Sequence, residues 1–427
     1  MELKKYKLGE ILDVTRGASL SGEFYAAEGE YVRLTCGNFD YQNNCFKENK
    51  AKDNLYYIGD FKPDFLMKEG DIITPLTEQA IGLLGSTAII PESGKYIQSQ
   101  DVAKIVCKEH LLDKDFAFYL ISSNLVKQQL SAAAQQTKIR HTSPDKIKDC
   151  IVWIPELEEQ KRIGKLLRTI DLKIELNRAI NHNLEAMAKQ LYDYWFVQFD
   201  FPDENGKPYK SSGGKMVWDK RLKREIPLLW KAKIVEEVAD VYNGATPSTV
   251  NELNYGGDIV WITPKDLSDQ KQKFVYQGER NISQVGYDSC STHLLPSNTI
   301  LMSSRAPIGL LAIAKTELCT NQGFKSFVSK SKNIATYLYY YLQYHITQIE
   351  QLGTGTTFKE VSREDILKFP MLKPSDNVLD LWEEIVSALN DRQLEIQKEN
   401  ENLIKQRDEL LPLLMNGQVS VNYDLSH

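Results

Sequence analysis

The stretches GDIITPLTEQAIGLLG (70–85) and SNTILMSSRAPIGLLA (297–312) decide the fold, because the second repeats the first. Their shared tetrapeptide aligns Ile81-Gly82-Leu83-Leu84 with Ile308-Gly309-Leu310-Leu311. Four further pairs, two before this stretch and two after it, occur in the same order in both halves: LGEILDVTRGAS (8–19) with IVEEVADVYNGATPS (234–248), EYVRLTCGNF (30–39) with DIVWITPKDL (258–267), QSQD (98–101) with TNQG (320–323), and QQTKIRHTSPDKIKDCIVWIP (135–155) with TTFKEVSREDILKFPMLKP (356–374). Matches in one register predict two copies of one structural module.

Each module combines short strands with a few helices. Apolar and β-branched runs are broken by Gly, Pro, Asn and Ser, which is typical of strands joined by turns. Helical patterns occupy 113–130 in the first module and 333–352 in the second. The predicted fold class is therefore mixed α/β (α+β), with two similar modules related by a pseudo-two-fold axis.

A long helical pattern follows each module, after Pro155 and after Pro374. Apolar residues recur at steps of three and four, which indicates a coiled-coil seam. The seam residues predicted to pack together in two antiparallel helices are Ile163, Ile170, Ile174, Leu184, Leu389, Ile396, Leu403 and Leu410. Asn177, Asn181 and Asn400 also fall on the seam, where they either pair and fix the register or mark a solvent-facing kink.

These patterns divide the chain into five segments. The first module is 1–154, the first helix 155–198, a linker 199–230, the second module 231–374 and the second helix 375–427. The linker is rich in Gly, Pro, Ser and Lys, and its basic residues either contact phosphate or form a solvated loop.

The composition is that of an ordinary globular protein. Of 427 residues, 42% are hydrophobic and 26% are charged. With no apolar run long enough for a membrane and no signal-peptide pattern, we expect a cytoplasmic location. Six scattered cysteines are expected to be reduced. A formal net charge of −6 requires any DNA-binding surface to be local.

Motifs for catalysis are missing. The chain has neither the glycine-rich cofactor loop nor the Pro-Pro-aromatic signature of DNA methyltransferases, and GLLGST (82–87) and GTGTT (353–357) lack the lysine of a phosphate-binding loop. Pro144-Asp145 with Glu159 and Lys161 resembles a nuclease motif, but Glu159 is predicted in the first turns of a helix. We predict no catalytic or metal-binding residues.

Several motifs resemble those of the specificity subunits of type I restriction-modification enzymes. They are WFVQFDFPDENGKPYKSSGGKMVW (195–218) followed by KREIP (223–227), SSRAPIG (303–309) and NQGFK (321–325). The similarity extends over essentially the whole chain. Two departures are EIPLLW (225–230), which lacks the usual Gly before Trp230, and TEQAIG (77–82) in place of SSRAPIG.

The resemblance implies a subunit that reads DNA without modifying it. Each module would be a target recognition domain that binds one half of a split, asymmetric site in double-stranded DNA. The helices would separate the modules and bind two methyltransferase subunits, with motor-nuclease subunits joining for restriction. The chain itself would bind no cofactor, and S-adenosylmethionine, ATP and Mg would be held by the partner subunits.

Loops that offer Lys or Arg to phosphates, and Asn, Gln, Ser or Thr to base edges, are the candidates for DNA contact. In the first module these are Arg16, Ser19, Gln79, Gln135, Gln136, Lys138 and Arg140. In the second they are Asn243, Ser248, Lys265, Ser304, Arg305, Lys325, Thr356, Thr357 and Lys359.

Two other functions stay open at this point. One is an enzyme with an unrecognised nuclease or methyltransferase site, which the purified chain would reveal by cutting or methylating DNA alone. The other is a coiled-coil protein-interaction module, which neighbouring genes for a methyltransferase and a motor would argue against.

Overall fold

The computed structural model describes residues 2–50, 53–78, 82–133, 140–305, 307–355 and 359–421. The chain forms two compact units. One comprises Met1–Leu176 with Asn400–His427, and the other is Asn177–Glu399.

The first unit contains fourteen strands and four short helices among its described residues. The strands are β1 (Lys4–Lys7), β2 (Leu12–Arg16), β3 (Tyr25–Ala26), β4 (Tyr31–Arg33), β5 (Phe39–Asp40), β6 (Cys45–Phe46), β7 (Tyr56–Tyr57), β8 (Ile72–Pro75), β9 (Thr77–Glu78), β10 (Ala88–Ile89), β11 (Tyr96–Ile97), β12 (Val102–Cys107), β13 (Arg140–His141) and β14 (Ile151–Ile154). The helices are α1 (Leu8–Ile11), α2 (Lys114–Ile121), α3 (Asn124–Ala133) and α4 (Pro144–Lys148).

The second unit holds the remaining strands and helices, apart from the two long helices that run through both units. Its strands are β15 (Met216–Asp219), β16 (Arg224–Pro227), β17 (Lys231–Ile234), β18 (Ala239–Asn243), β19 (Tyr255–Ile262), β20 (Phe274–Val275), β21 (Arg280–Ile282), β22 (Ile300–Ser303), β23 (Leu311–Ala314), β24 (Cys319–Thr320), β25 (Phe324–Ser329) and β26 (Pro370–Lys373). Its own helices are α6 (Pro264–Gln270), α7 (Gln284–Asp288), α8 (Ala335–Tyr344), α9 (Ile346–Gln351) and α10 (Arg363–Leu367). The two long helices shared by both units are α5 (Leu157–Tyr192) and α11 (Asp376–Met415).

The sheets confirm the repeat. In the first unit the main sheet has the order β10-β8-β12-β2, and in the second the order is β20-β23-β22-β25-β18, so the first four-strand sheet recurs with one strand added. Both sheets pair their four common strands antiparallel. A parallel pair, β4 with β11 and β19 with β24, also recurs.

A closing ladder joins the two ends of each module. In the first module β1 pairs antiparallel with β14, so that Lys4 faces Ile154. In the second β17 pairs with β26, so that Lys231 faces Lys373. Each module therefore begins and ends on neighbouring strands, next to the start of the long helix that follows it.

The core of the second unit contains a large cluster of aromatic side chains. Tyr192 and Phe196 pack with Tyr337 and Trp382, and all four are buried. In the first unit the core is mainly aliphatic around α2, and Ile163 of α5 lies in it. Each unit buries apolar surface of the long helices against its own module, which provides the main favourable term in folding.

The two long helices are antiparallel within each unit, as predicted. In the second unit the Asn177 amide donates to the Glu399 carboxylate at 2.8 Å, and the Asn181 amide donates to the Gln393 carbonyl at 3.2 Å. Residue numbers thus rise along α5 as they fall along α11. Asn177 is buried and α5 passes through it without a break, so Asn177 and Asn181 pair across the seam and do not mark a solvent-facing kink. Asn400 is also buried, but its side-chain oxygen has no partner among the described residues.

The predicted seam residues all face inward to some degree. Ile163, Ile174 and Ile396 are buried, whereas Ile170, Leu184, Leu389, Leu403 and Leu410 are partly buried. Between them the seam carries polar side chains, including buried Asn390, Gln393 and Asn400. The middle of the seam is therefore more polar than a coiled coil of apolar residues.

The segment predicted as a linker is folded. Phe201 stacks on Tyr209 and on Trp230, with ring centroids 4.6 and 4.8 Å apart, and β15 and β16 form a hairpin. Its glycines and lysines suggested an open loop, but its aromatic residues reach the core of the second unit. Within the described part of the chain, no helix is both long and apolar enough to cross a membrane.

Candidate nucleic-acid interface

A close backbone approach positions the first candidate loop of the first module. At Gly17 a Cβ atom would lie 2.3 Å from the Gln98 carbonyl oxygen, so only glycine fits there. The Arg16 guanidinium donates to the Gln100 carbonyl at 2.8 Å. Arg16 and the exposed Ser19 are therefore held beside the loop 98–101.

The second module repeats this approach. At Gly244 a Cβ atom would lie 2.1 Å from the Asn321 carbonyl oxygen. The Ala245 amide donates to the Thr320 carbonyl at 2.9 Å, and the Trp261 indole donates to the Ala245 carbonyl at 3.1 Å. Two candidates, Asn243 and Ser248, are exposed on this loop. The sequence pairing of 98–101 with 320–323 thus corresponds to equivalent positions in the two modules.

A second pair of loops meets in the first module through β9 and β13. Glu78 faces Arg140 in this ladder, and the Arg140 guanidinium lies 3.6 Å from the Glu78 carboxylate. The other oxygen of Glu78 accepts a hydrogen bond from the Gly82 amide at 2.9 Å. This ladder brings together the ends of two candidate segments. Gln79, Gln135, Gln136 and Lys138 themselves lie outside the described residues.

The corresponding loops of the second module meet at a bridge between Arg305 and Glu360. The Val361 amide also donates to the Ser304 carbonyl at 2.9 Å. Lys359, just before Glu360, is exposed. Thr356 and Thr357 lie outside the described residues. In both modules, the two segments with the strongest clusters of candidates are therefore adjacent.

The candidate cations differ in how firmly they are already paired. Lys265 contacts Glu279 at 2.7 Å, with both side chains more than 60% exposed. Such a pair contributes little, so Lys265 can exchange its carboxylate for phosphate at small cost. Lys325 is 4% exposed, and its ammonium lies 3.3 Å from both the Ser304 hydroxyl and the Glu360 carboxylate. Here Lys325 and the fully buried Ser304 hold the loop together.

No cluster typical of catalysis emerges from the described part of the chain. There, no group of three or more His, Cys, Asp or Glu side chains could hold a metal ion. Burial raises the pKa of Cys107 to about 12 and that of Cys150 to about 11, which keeps both as unreactive thiols. Glu159 lies in the first turn of α5, as predicted, and accepts a hydrogen bond from the Val421 amide at 3.1 Å.

Sequence reasoning missed the buried polar groups that join each module to the helices. In the first unit the Tyr119 hydroxyl donates to Asp171 of α5, whose carboxylate also binds Arg407 of α11 at 2.9 Å. In the second unit Glu185 of α5 binds Lys273 at 2.8 Å. The sequence signal that could have revealed these groups is a charged residue on the face of a long helix that otherwise points toward the seam.

Comparison with known proteins yields one consistent family. The family model described as the type I restriction modification DNA specificity domain matches residues 1–186 and 227–406. The type I restriction enzyme MjaIX specificity subunit of Methanocaldococcus jannaschii is 35% identical over 197 residues, so the aligned part spans about half of each protein, 45% of this chain and 46% of that one. The type I restriction enzyme HindI specificity subunit of Haemophilus influenzae is 24% identical and aligns with 97% of this chain and 99% of its own length.

A solved structure has the same fold. It is the crystal structure of the type I restriction-modification system S subunit from M. genitalium, with a TM-score of 0.64 and 16% sequence identity. The superposition covers 97% of this chain and 96% of that one.

Proposed function

Because the chain belongs to the family of type I restriction-modification DNA specificity proteins, its function is DNA sequence specificity, and we propose that it reads a bipartite, asymmetric site in double-stranded DNA. Residues 1–154 and 231–374 would be the two target recognition domains, related by a pseudo-two-fold axis, and each would read one half-site. The long helices at 155–198 and 375–427 would serve as spacers.

One observation carries this proposal. Each module has the same order of common strands, and in each the same two pairs of polar loops meet. In the first module they meet at Gly17 and at the pair Glu78–Arg140, and in the second at Gly244 and at the pair Arg305–Glu360. Two equivalent sets of loops with different side chains are what two readers of different sequences require. Backbone positions shared by the two modules hold these loops, while the side chains that would read bases are free to differ.

The proposed partners are two methyltransferase subunits and, in the full complex, motor-nuclease subunits in the cytoplasm. Exposed apolar side chains one helical turn apart support a protein partner on the helices. They are Leu172 and Leu176 on α5, in the first unit, and Leu381 and Ile385 on α11, in the second. We assign S-adenosylmethionine, ATP and Mg to these partners, because the sequence lacks the motifs that bind them.

The test is to express the chain with its methyltransferase partner and map methyladenine across the host genome. We expect one methylated sequence with two defined halves and a gap of fixed length. Methylation without such a bipartite sequence would refute the proposal. The purified chain alone, given Mg or S-adenosylmethionine, should neither cut nor methylate DNA, and either activity would favour an enzyme instead.

A further inference from the structure

Lys273 lies at the edge of the second module, directly before β20, and its side chain is 10% exposed. Its ammonium group is 2.8 Å from the Glu185 carboxylate of α5 and 2.6 Å from the Tyr340 hydroxyl of α8. It is also 2.7 Å from the Asn390 side-chain oxygen and 3.1 Å from that of Gln393, both on α11. One cation of the module thus bonds to both long helices.

The ammonium group is fully engaged in this site. It carries three protons, and four oxygen acceptors lie within hydrogen-bond distance. The Tyr340 hydroxyl, which accepts from Lys273, itself lies 3.1 Å from Glu185 and donates to it. Such a closed set of bonds allows one placement of the Lys273 side chain, because a shift in any direction breaks at least one bond to a helix.

Burial makes this arrangement costly. Removal from water lowers the pKa of Lys273 to about 8, although the nearby Glu185 carboxylate opposes that change. A buried ion pair is poor evidence of stability, since apolar residues of similar volume often replace it without loss. Its best-supported role is to select one geometry among several that apolar packing would allow.

Adjacent bonds fix the same segment of the module. The Gln397 amide of α11 donates to the Gln272 side chain at 2.8 Å and to the Phe274 carbonyl at 3.0 Å. Three consecutive residues, 272–274, are therefore bonded to the helices. The first unit has a related arrangement in which Tyr119 and Arg407 share Asp171, but there the cation comes from α11.

We propose that Lys273 is a positioning residue that fixes the direction of the second module's DNA-reading loops on the helix pair, and thereby restricts the gap between half-sites. This inference rests on the proposed function. The loops at 243–248 and 353–360 belong to the same module as Lys273, so a tilt at residues 272–274 turns them together. Half-site sequence would be read by the loops, and gap length would be limited by Lys273.

The test uses the complex with its methyltransferase partner and duplexes that keep both half-sites while the gap varies by one or two base pairs. Lys273→Met should leave the half-sites unchanged and raise the methylation rate on the wrong gaps, relative to the natural gap, by about tenfold, the effect of losing one coupled contact of about 1.4 kcal/mol. A ratio of rates is used because lower stability alone reduces methylation on every gap alike.

Two further variants make the result decisive. Lys330→Met is the matched control. It removes a cation that lies 3.4 Å from Asp240 of β18, in the same sheet as β20, and both side chains of this pair are about half-exposed. This variant should leave the gap profile unchanged. Lys273→Met with Glu185→Leu removes both charges of the pair, so it should fold even if the single variant does not, and it should also accept wrong gaps. A wild-type gap profile in the folded double variant would overturn the inference. The proposed function fails separately, if the wild-type complex methylates no bipartite sequence.

Discussion

Lys359 is an exposed cation beside the bridge between Arg305 and Glu360. Lys359→Ala should weaken DNA binding and flatten the plot of log affinity against log salt by about one unit, because each phosphate contact releases about one counterion. Binding measured at several salt concentrations checks this. Lys330→Ala, which removes a partly exposed lysine directly after β25, is the matched control and should keep the wild-type slope. An unchanged slope in Lys359→Ala would remove that residue from the interface.

Lys273 gives the protein a defined pH dependence. Burial lowers its pKa from 10.5 in the unfolded chain to about 8 in the folded one. Between these values the unfolded chain holds the proton and the folded chain does not, so the free energy of unfolding rises with pH. The gain relative to Lys273→Met is up to about 3 kcal/mol, since one pKa unit corresponds to about 1.4 kcal/mol.

Urea unfolding of both proteins at about pH 7 and about pH 9.5 measures this difference. The wild type should gain stability relative to Lys273→Met at the higher pH. Neighbouring Lys315, whose pKa is also lowered by burial, remains in both proteins, so its titration largely cancels. Parallel pH profiles would show that the Lys273 ammonium is not destabilised by burial.

At the scale of single elements, the helix seam predicts where a charge is least tolerated. Ile396 is 1% exposed on α11, whereas Leu403 is partly buried and Leu381 is exposed. Ile396→Asp should lower the free energy of unfolding by roughly 3 to 5 kcal/mol, the cost of burying an unpaired charge. Leu403→Asp should cost less, and Leu381→Asp should have little effect in the free chain. Equal effects in denaturant unfolding would contradict the observed seam.

The long helices were predictable from sequence because their signals are local. Steps of three and four place Ile163 and Ile174 on one face of α5 and Ile396 on the seam face of α11. Pro155 and Pro374 each lie two residues before the first residue of the helix that follows. The repeat likewise predicted equivalent sheets. Asn177 was correctly placed at the seam, although its partner Glu399 could not be named, because pairing between distant segments leaves no local pattern.

The candidate interface was predictable from sequence only as a set of loops. Sequence pairing of the modules placed 77–82 with 303–309, and the structure shows the ends of these segments meeting β13 and Glu360. The sequence did not predict that Ser304 and Lys325 are buried. A lysine in a Gly- and Asn-rich segment has the same sequence pattern whether or not a carboxylate faces it. Glu185, Lys273 and Tyr340 were missed for the same reason, being far apart in the chain.

For the whole molecule, the helices are expected to act as a ruler for the DNA site. Inserting four residues into each helix adds one turn, with about 6 Å of rise and a residual rotation of about 40°. One base pair rotates B-DNA by about 34° to 36°. The gap should therefore lengthen by one base pair while both half-sites stay the same. Methylome mapping of the inserted variant measures this, and full activity at the original gap would show that the helices do not set the spacing.

Exchange of a module should change half of the target. Replacing residues 231–374 with another recognition module keeps both long helices and the first module. If each module reads its own half-site, as proposed, one half of the methylated sequence should change and the other half should remain. Mapping methyladenine in cells with the hybrid checks this, and changes in both halves would show that the modules do not read independently.

The closing ladders also bear on how such a gene changes over generations. Lys231 faces Lys373, and Lys4 faces Ile154, so the chain enters and leaves each module along one pair of antiparallel strands. Recombination between two related genes can therefore exchange everything between the two paired strands, while these strands and the long helices are inherited unchanged. A lineage would acquire a new methylation signature in one generation, and the partner enzymes would need no mutation to follow it.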